Sequence, residues 1–183
     1  MSNEQYRPFR LEIRGALKVS TFHIGSGANF SLTSDSPILR DQNGRPYLPA
    51  TSLKGVIRSH LEAEFPGLDR LFGVAEKENG SALSRITVYD ATSVTSPGTE
   101  VRDHVRIKPE WAAAADGGKF DQEVSGPATL KFHLIYEGGS KDDAELCAIQ
   151  EAVRALQAGE LTCGANSSRG YGRLTLAETR YIS

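Results

Sequence analysis

Six segments of regular hydrophobic spacing, in the order strand, helix, strand, strand, helix, strand, constrain this chain more than any other feature of its sequence. Residues 9–20 set the pattern. Phe9, Leu11, Ile13, Leu17 and Val19 alternate with Arg10, Glu12, Arg14, Lys18 and Ser20, the period of two that gives a strand one buried and one polar face. Leu53, Val56, Ile57 and Leu61 recur instead at helical spacing, so a helix is expected over about 52–65, ended by Pro66-Gly67. Leu68, Leu71 and Phe72 then give a short helical turn. Strands are expected at 85–91, where Ile86 and Val88 share a face, and at 129–136, where Leu130, Phe132, Leu134 and Tyr136 do. A second helix over 141–158 carries Leu146, Ile149, Val153 and Leu156 on one stripe, with a capping-box-like start at Ser140 and Asp143 and a stop at Gly159. A last strand over 171–181 completes the order βαββαβ, the split βαβ or ferredoxin-like arrangement that RNA-recognition domains also use. The expected class is therefore α+β, in one domain spanning 1–183. At this length a chain buries roughly 70% of its unfolded surface without staples. The fold itself settles nothing about activity.

Composition removes several classes. Cys147 and Cys163 are too few and too poorly spaced for a disulfide framework or a zinc site, and a reducing compartment fits them. No secretory leader or apolar run of membrane length is evident, so a cytoplasmic protein without a membrane partner is expected. The net charge of −2 argues against indiscriminate nucleic-acid binding, whose affinity comes from many phosphate contacts. A local basic track stays open, because acidic residues cluster apart at Glu62/Glu64, Glu76/Glu78 and Asp142/Asp143/Glu145.

Two insertions interrupt the core, at about 21–50 and 92–127. The first holds His23 at a strand end, Asp35 in Ser-Asp-Ser-Pro, and an Asn43-Gly44 turn between two short extended pieces. It leads into the first helix, which Pro49 bars from starting earlier and which Thr51 or Ser52 can cap. Free N–H groups, two hydroxyls and Lys54 one turn inside suit a phosphate; a plain capped helix with Lys54, Arg58 and Glu62 in solvent fits the same residues. The second insertion reads as a protruding hairpin with an alanine and glycine spacer. Arg102, Arg106 and Lys108 are available there for phosphates, and Trp111 or Phe120 for stacking on a base, unless it is only a solvated ribbon. Near the C-terminus Gly164-Ala-Asn-Ser-Ser-Arg-Gly-Tyr-Gly172 forms a glycine loop whose N–H groups, with Arg169, suit close wrapping of an RNA backbone.

With Leu48-Pro-Ala-Thr-Ser-Leu-Lys-Gly-Val-Ile-Arg58 in the first third and Gly164-Ala-Asn-Ser-Ser-Arg-Gly-Tyr-Gly-Arg-Leu174 in the last, the sequence resembles the RAMP superfamily of CRISPR-associated proteins. It looks most like the backbone subunit of type III effector complexes. Phe22-His-Ile-Gly-Ser-Gly27, Asp35-Ser-Pro-Ile-Leu-Arg-Asp41, Val101-Arg-Asp-His-Val-Arg-Ile107 and Gly118-Lys-Phe-Asp-Gln-Glu-Val124 follow the family's order. The resemblance implies a subunit that polymerises along a guide RNA and pushes its hairpin thumb between base pairs of guide and target. It implies Asp35 as the catalytic aspartate, cutting target RNA with a divalent metal, Mg2+ or Mn2+, that no dedicated protein cage holds. Ser52, Lys54 and Arg58 would hold the guide backbone, His23 would lie near it, and the loop of Gly164, Ser167, Ser168, Arg169, Gly170 and Tyr171 would close over it. Arg102 and Arg106 would serve the thumb. The implied partners are guide RNA, single-stranded target RNA, copies of the chain in a filament and other type III subunits. Two other readings stand beside it: a non-catalytic guide scaffold, and a standalone endoribonuclease that processes the guide precursor through His23 or His60 without metal. One departure is visible, since the family usually carries Pro-Gly-Ser-Ser where this chain has Pro49-Ala-Thr-Ser52. The turn is stiffer and bulkier, with a hydroxyl kept at each capping position.

Overall fold

The computed structural model describes residues 9–27, 34–73, 83–108, 113–138 and 144–183. Its elements are β1 (Phe9–Val19), α1 (Ala50–Glu64), α2 (Asp69–Phe72), β2 (Ile86–Val88), β3 (Thr99–Lys108), β4 (Ala113–Ser125), β5 (Ala128–Gly138), α3 (Ala144–Ala158) and β6 (Leu174–Ile182). The class is α+β, with antiparallel sheets and few helices. Four strands form one sheet in the order β2-β5-β1-β6, and β3 with β4 forms a separate ribbon. Both β1 and β2 run antiparallel to β5, so they are parallel to each other; β5 and β6 are likewise parallel across β1. Each parallel pair is joined through a helix, α1 or α3.

Alternation along the strands decides what is buried. Ile13 and Leu17 of β1, and Leu130, Leu134 and Tyr136 of β5, are at most 1% exposed. They join Leu53, Ile57 and Leu61 of α1 and Ile149, Val153 and Leu156 of α3 in one hydrophobic cluster. Each such side chain contributes about 1.5–3 kcal/mol by leaving water. The opposite face of the sheet keeps Arg14, Lys18 and Lys131 in solvent.

Several local expectations change. The first helix starts at Ala50, with Pro49 as the residue before it at φ −62° and ψ 144° and no side-chain cap. Thr51 and Ser52 therefore lie inside the first turn, because proline tolerates extended geometry just outside a helix. The Ala50 N–H is instead met by Asp90 Oδ1 at 2.7 Å. The second core strand is reduced to Ile86–Val88. The alanine and glycine stretch is no spacer but the first half of β4. Between Arg14 and Ala16 the pairing with β6 slips, and Glu178 takes a left-handed φ of 52°. Gly15 sits at that bulge, where a Cβ would stand 2.8 Å from Leu176 Cδ1 and 2.9 Å from Ala177 O. The capping pair at Ser140 and Asp143, Trp111, and the side chains of Arg106 and Lys108 lie outside the described residues. Among the described residues no helix is long and apolar enough to cross a membrane.

Candidate nucleic-acid interface around Asp35

The strand β1 runs out at Val19, and the chain then pairs Phe22 with Ser125 at the base of the ribbon, N–H to O at 3.1 and 2.9 Å. This puts His23 against β4. Its ring is 3% exposed, with Nδ1 2.7 Å from the Glu123 carbonyl. A carbonyl only accepts, so Nδ1 carries the proton and Nε2 is left to accept from Ser36 Oγ at 3.3 Å. The His23 carbonyl in turn takes the Ala165 N–H at 3.0 Å. Gly164 (φ 98°) passes so close that a Cβ would lie 2.4 Å from that oxygen. His23 is thus the joint at which the Asp35 loop, the ribbon and the glycine loop meet, and its ring is committed within the protein.

Residues 34–40 lie along β4 and are held to it through Asp35, Ser36, Ile38 and Arg40. The Asp35 N–H donates to Asp121 Oδ1 at 2.6 Å, and the Asp121 N–H donates back to Asp35 Oδ2 at 3.1 Å. Two residues on, the Glu123 N–H reaches the Ser36 carbonyl at 3.0 Å, while its carboxylate takes the Ile38 N–H at 3.0 Å and pairs with Arg40. Burial pushes the Glu123 carboxyl up, but the Ile38 N–H and the Arg40 guanidinium outweigh it and hold the group below its ordinary value. Asp103 stands opposite Asp121 on β3. Asp35, Asp103 and Asp121 then line a hollow of about 390 Å3 with His104, Lys119 and Phe120.

The glycine loop closes on the ribbon from the other side. A 3-10 turn at Ser167–Arg169 is flanked by left-handed Asn166 and Gly170. The N–H groups of Ala165, Arg169, Gly170, Tyr171 and Gly172 are all bonded within the protein. The expected cradle of exposed N–H groups is therefore largely spent on holding the loop, and what it offers outward is the exposed Ser167, Ser168, Arg169 and Gly170. Asn166 Nδ2 donates to Gln122 Oε1 at 2.6 Å, and Arg169 Nη1 to His104 Nδ1 at 3.0 Å. Arg102 of β3 donates to the Tyr171 hydroxyl and stacks 5.3 Å over its ring. The structure thus brings Asp35, His23, Arg102 and the loop from Gly164 to Tyr171 together.

Among the described residues, neither Ser52 nor Lys54 hydrogen-bonds to that cluster. Lys54 Nζ donates to Ser84 Oγ at 2.7 Å, just before β2, and burial, then the neighbouring Arg58, pulls its ammonium below the ordinary value. Arg58 pairs with Glu62 at 2.6 Å and lies 5.8 Å over the Phe72 ring. Ser52 is two residues from Lys54 and so on another side of the helix, where it lines a hollow of about 540 Å3 with Ser59, His60 and Thr162. The helix N-terminus, read as a phosphate site, already faces the Asp90 carboxylate. No described hydrogen bond or ion pair links Lys54 to Arg169.

Sequence reading passed over Asp90, Asp103, His104, Asp121 and Glu123. A signal for two of them was available: carboxylates at 121 and 123 fall on one face of a strand. For a divalent metal, carboxylate oxygens around the Asp35 hollow are the hard donors that Mg2+ and Mn2+ prefer. Among the described residues, donor atoms converge within 4.8 Å at His60, Glu64 and Glu151 instead. There Arg154 already holds Glu151 at 2.6 and 2.7 Å, and a cation would meet its positive charge.

Two known proteins are similar in sequence to this chain. The chain is 26% identical over 200 residues to the CRISPR system Cms endoribonuclease Csm3 of Methanocaldococcus jannaschii, covering 93% of this chain and 79% of that protein. It is 27% identical over 208 residues to the Csm3 of the same description from Mycobacterium tuberculosis H37Rv, covering 93% and 88%. A sequence model of the RAMP superfamily matches residues 17–175, and the chain belongs to that superfamily.

Proposed function

We propose that this chain is a guide-binding backbone subunit of a type III CRISPR effector complex, acting in the cytoplasm, and that it cuts complementary target RNA at Asp35. The observation that carries the reading is the reciprocal clasp between Asp35 and Asp121, which fixes a carboxylate beside the ribbon where the glycine loop also docks. The sheet order β2-β5-β1-β6 with a helix in each crossover supports the ferredoxin-like reading of the core. Similarity to two proteins named as endoribonucleases supports the activity.

In this reading Ser167, Ser168 and Arg169 hold the guide backbone, with Arg102 and Tyr171 at their flank. Lys54, Arg58 and Ser52 meet RNA on other surfaces of α1, and His23 acts through the loops it joins. The ribbon displays Val101 and Val105 on one face and Phe120 on the other, at 46%, 44% and 39% exposure, apolar groups suited to unstacking a base. Unstacking matters because a stacked A-form strand holds the ribose 2′-OH away from the in-line position for attack on its own phosphate. Asp35 and Asp121 would hold a divalent cation that neutralises charge developing on that phosphate. Lys119 in the same hollow adds a positive charge, and the expected ends are a cyclic phosphate and a 5′-hydroxyl. Copies of the chain and other type III subunits complete the assembly.

A complex reconstituted with guide RNA tests this directly. Adding Mg2+ and complementary RNA should give fragments at regular intervals, and Asp35→Ala should abolish them while guide and target stay bound. Undiminished cutting by Asp35→Ala would remove the catalytic assignment. One observation favours a scaffold without activity: the Asp35 carboxylate accepts a backbone N–H at 3.1 Å, as a purely bracing aspartate would. Wild-type complex that yields no fragments with metal would support it. A histidine-dependent processing reaction finds little support, with His23 buried and His60 beside Glu151 at 3.3 Å.

A further inference from the structure

The sheet face turned away from α1 and α3 carries a row of side chains headed by two facing arginines, which packing does not explain. Arg180 of β6 stands directly opposite Arg14 of β1, and Arg14 opposite His133 of β5. Tyr89 lies flat on His133, ring centres 4.3 Å apart and planes within 8°, which carries the row to the end of β2. One residue pair along, Lys131 faces Ala16, and beyond it Lys18 continues the positive side of β1. Like charges placed directly opposite each other destabilise a sheet. The bulge at Gly15 sets the register that puts these two arginines together.

Part of this charge is neutralised internally. Glu12, 9% exposed, pairs with Arg14 and with His133; hydrogen bonding from Arg14 above all holds its carboxyl below the ordinary value. Lys18, Lys131 and Arg180 form no ion pair among the described residues. Glu178 is the other carboxylate at the hollow. The side chains enclose a space of about 470 Å3 floored by Gly15 and Ala16. Lys131 also lines a neighbouring hollow of about 570 Å3 toward the first insertion, where Asp41 and Asp90 balance Arg40 and Arg45, so the uncompensated charge is confined to the sheet face. On a chain of net charge −2 this is a local concentration of positive charge.

We infer that this sheet face is a second RNA-binding surface, taking a single-stranded segment whose phosphates lie along Arg180 and Lys131 and whose base stacks at Tyr89. The occupant is a polyanion because Arg180, Lys131 and Lys18, which form no ion pair among the described residues, are cations spread over three adjacent strands of one face. It is single-stranded RNA rather than duplex because Tyr89, stacked on His133 and still 44% exposed, extends an aromatic platform of the kind on which sheets stack unpaired bases. The surface is separate from the Asp35 hollow and shares none of its lining residues. The inference therefore stands or falls independently of cutting by Asp35.

The test uses the full chain and a single-stranded RNA carrying 4-thiouridine, with binding followed across a salt series. Lys131→Gln with Arg180→Gln should lower the slope of log affinity against log salt by about 1.4, since each phosphate contact on a single strand carries about 0.7. Photocrosslinks should map to Tyr89 and neighbouring residues of β5, and Tyr89→Leu should remove them. Both residues are exposed, and an unchanged melting temperature of the variants confirms that the fold is intact. An unaltered salt slope with crosslinks confined to the glycine loop and ribbon would overturn the inference. So would variants that bind RNA normally but change the sedimentation of the assembled complex, since the face would then be a protein interface.

Discussion

Asp121 is the residue whose role most sharpens the picture. Its carboxylate accepts the Asp35 N–H and adds a second negative charge there, while its backbone N–H holds the Asp35 carboxylate. Asp121→Ala keeps that backbone donor but removes the acceptor and the charge, and is expected to slow target cutting about 10–100-fold, the range for losing a group that orients a metal ligand, with guide binding intact. Asp121→Asn keeps an oxygen for the Asp35 N–H, so it should fall between the two and recover part of its rate as Mg2+ is raised. A metal titration of single-turnover cutting distinguishes these cases; equal rates for wild type and Asp121→Ala would show that the clasp is not used. This partnership was illegible in the sequence because the two residues are 86 positions apart. Asp35 itself could be singled out only through family resemblance, since Ser-Asp-Ser-Pro is an ordinary turn former.

Among the elements, those with long, regular hydrophobic spacing were the ones the sequence announced: β1, α1, β5, α3 and β6. Departures occur where tertiary pairing overrides local preference. Ala113 to Gly118 has little strand tendency, yet lies in β4 because β3 supplies a partner. The bulge opposite Gly15 was invisible, as nothing in an alternating run marks Glu178 for a left-handed backbone. The contact between helices also carries a pH signature. Hydrogen bonds from Arg154 first, and then from His60, hold the Glu151 carboxyl down at about 2. A carboxyl lowered on folding contributes stability that is present above its unfolded value, near 4.5, and is lost as pH falls toward 2. Glu151→Gln lacks that dependence. Its melting temperature should lie below wild type at pH 7, and the gap should close between about pH 4.5 and pH 2.5. A gap unchanged down to the acid end would show that the carboxylate is not linked to folding.

For the whole molecule, the distribution of charge and shape matters more than any one contact. The loops at the end of the sheet where β1 stops and β5 begins gather Asp35, the ribbon and the glycine loop, while α1 and α3 cover one face and leave the other cationic. Helical spacing alone could not tell which flank of α1 faces a distant loop: Lys54 turns toward Ser84, while Ser52 lines a hollow with Thr162, two residues before the glycine loop. The docking of the glycine loop on the ribbon was not legible either, because its partners Asn166 and Gln122 are 44 positions apart. Together, in the proposed function, these surfaces hold a guide. Sequencing the RNA that copurifies with the chain from cells carrying a CRISPR array tests that claim most directly. The account predicts reads dominated by array spacers with their flanking repeat; bulk cellular RNA in proportion to its abundance, or no RNA at all, would contradict it.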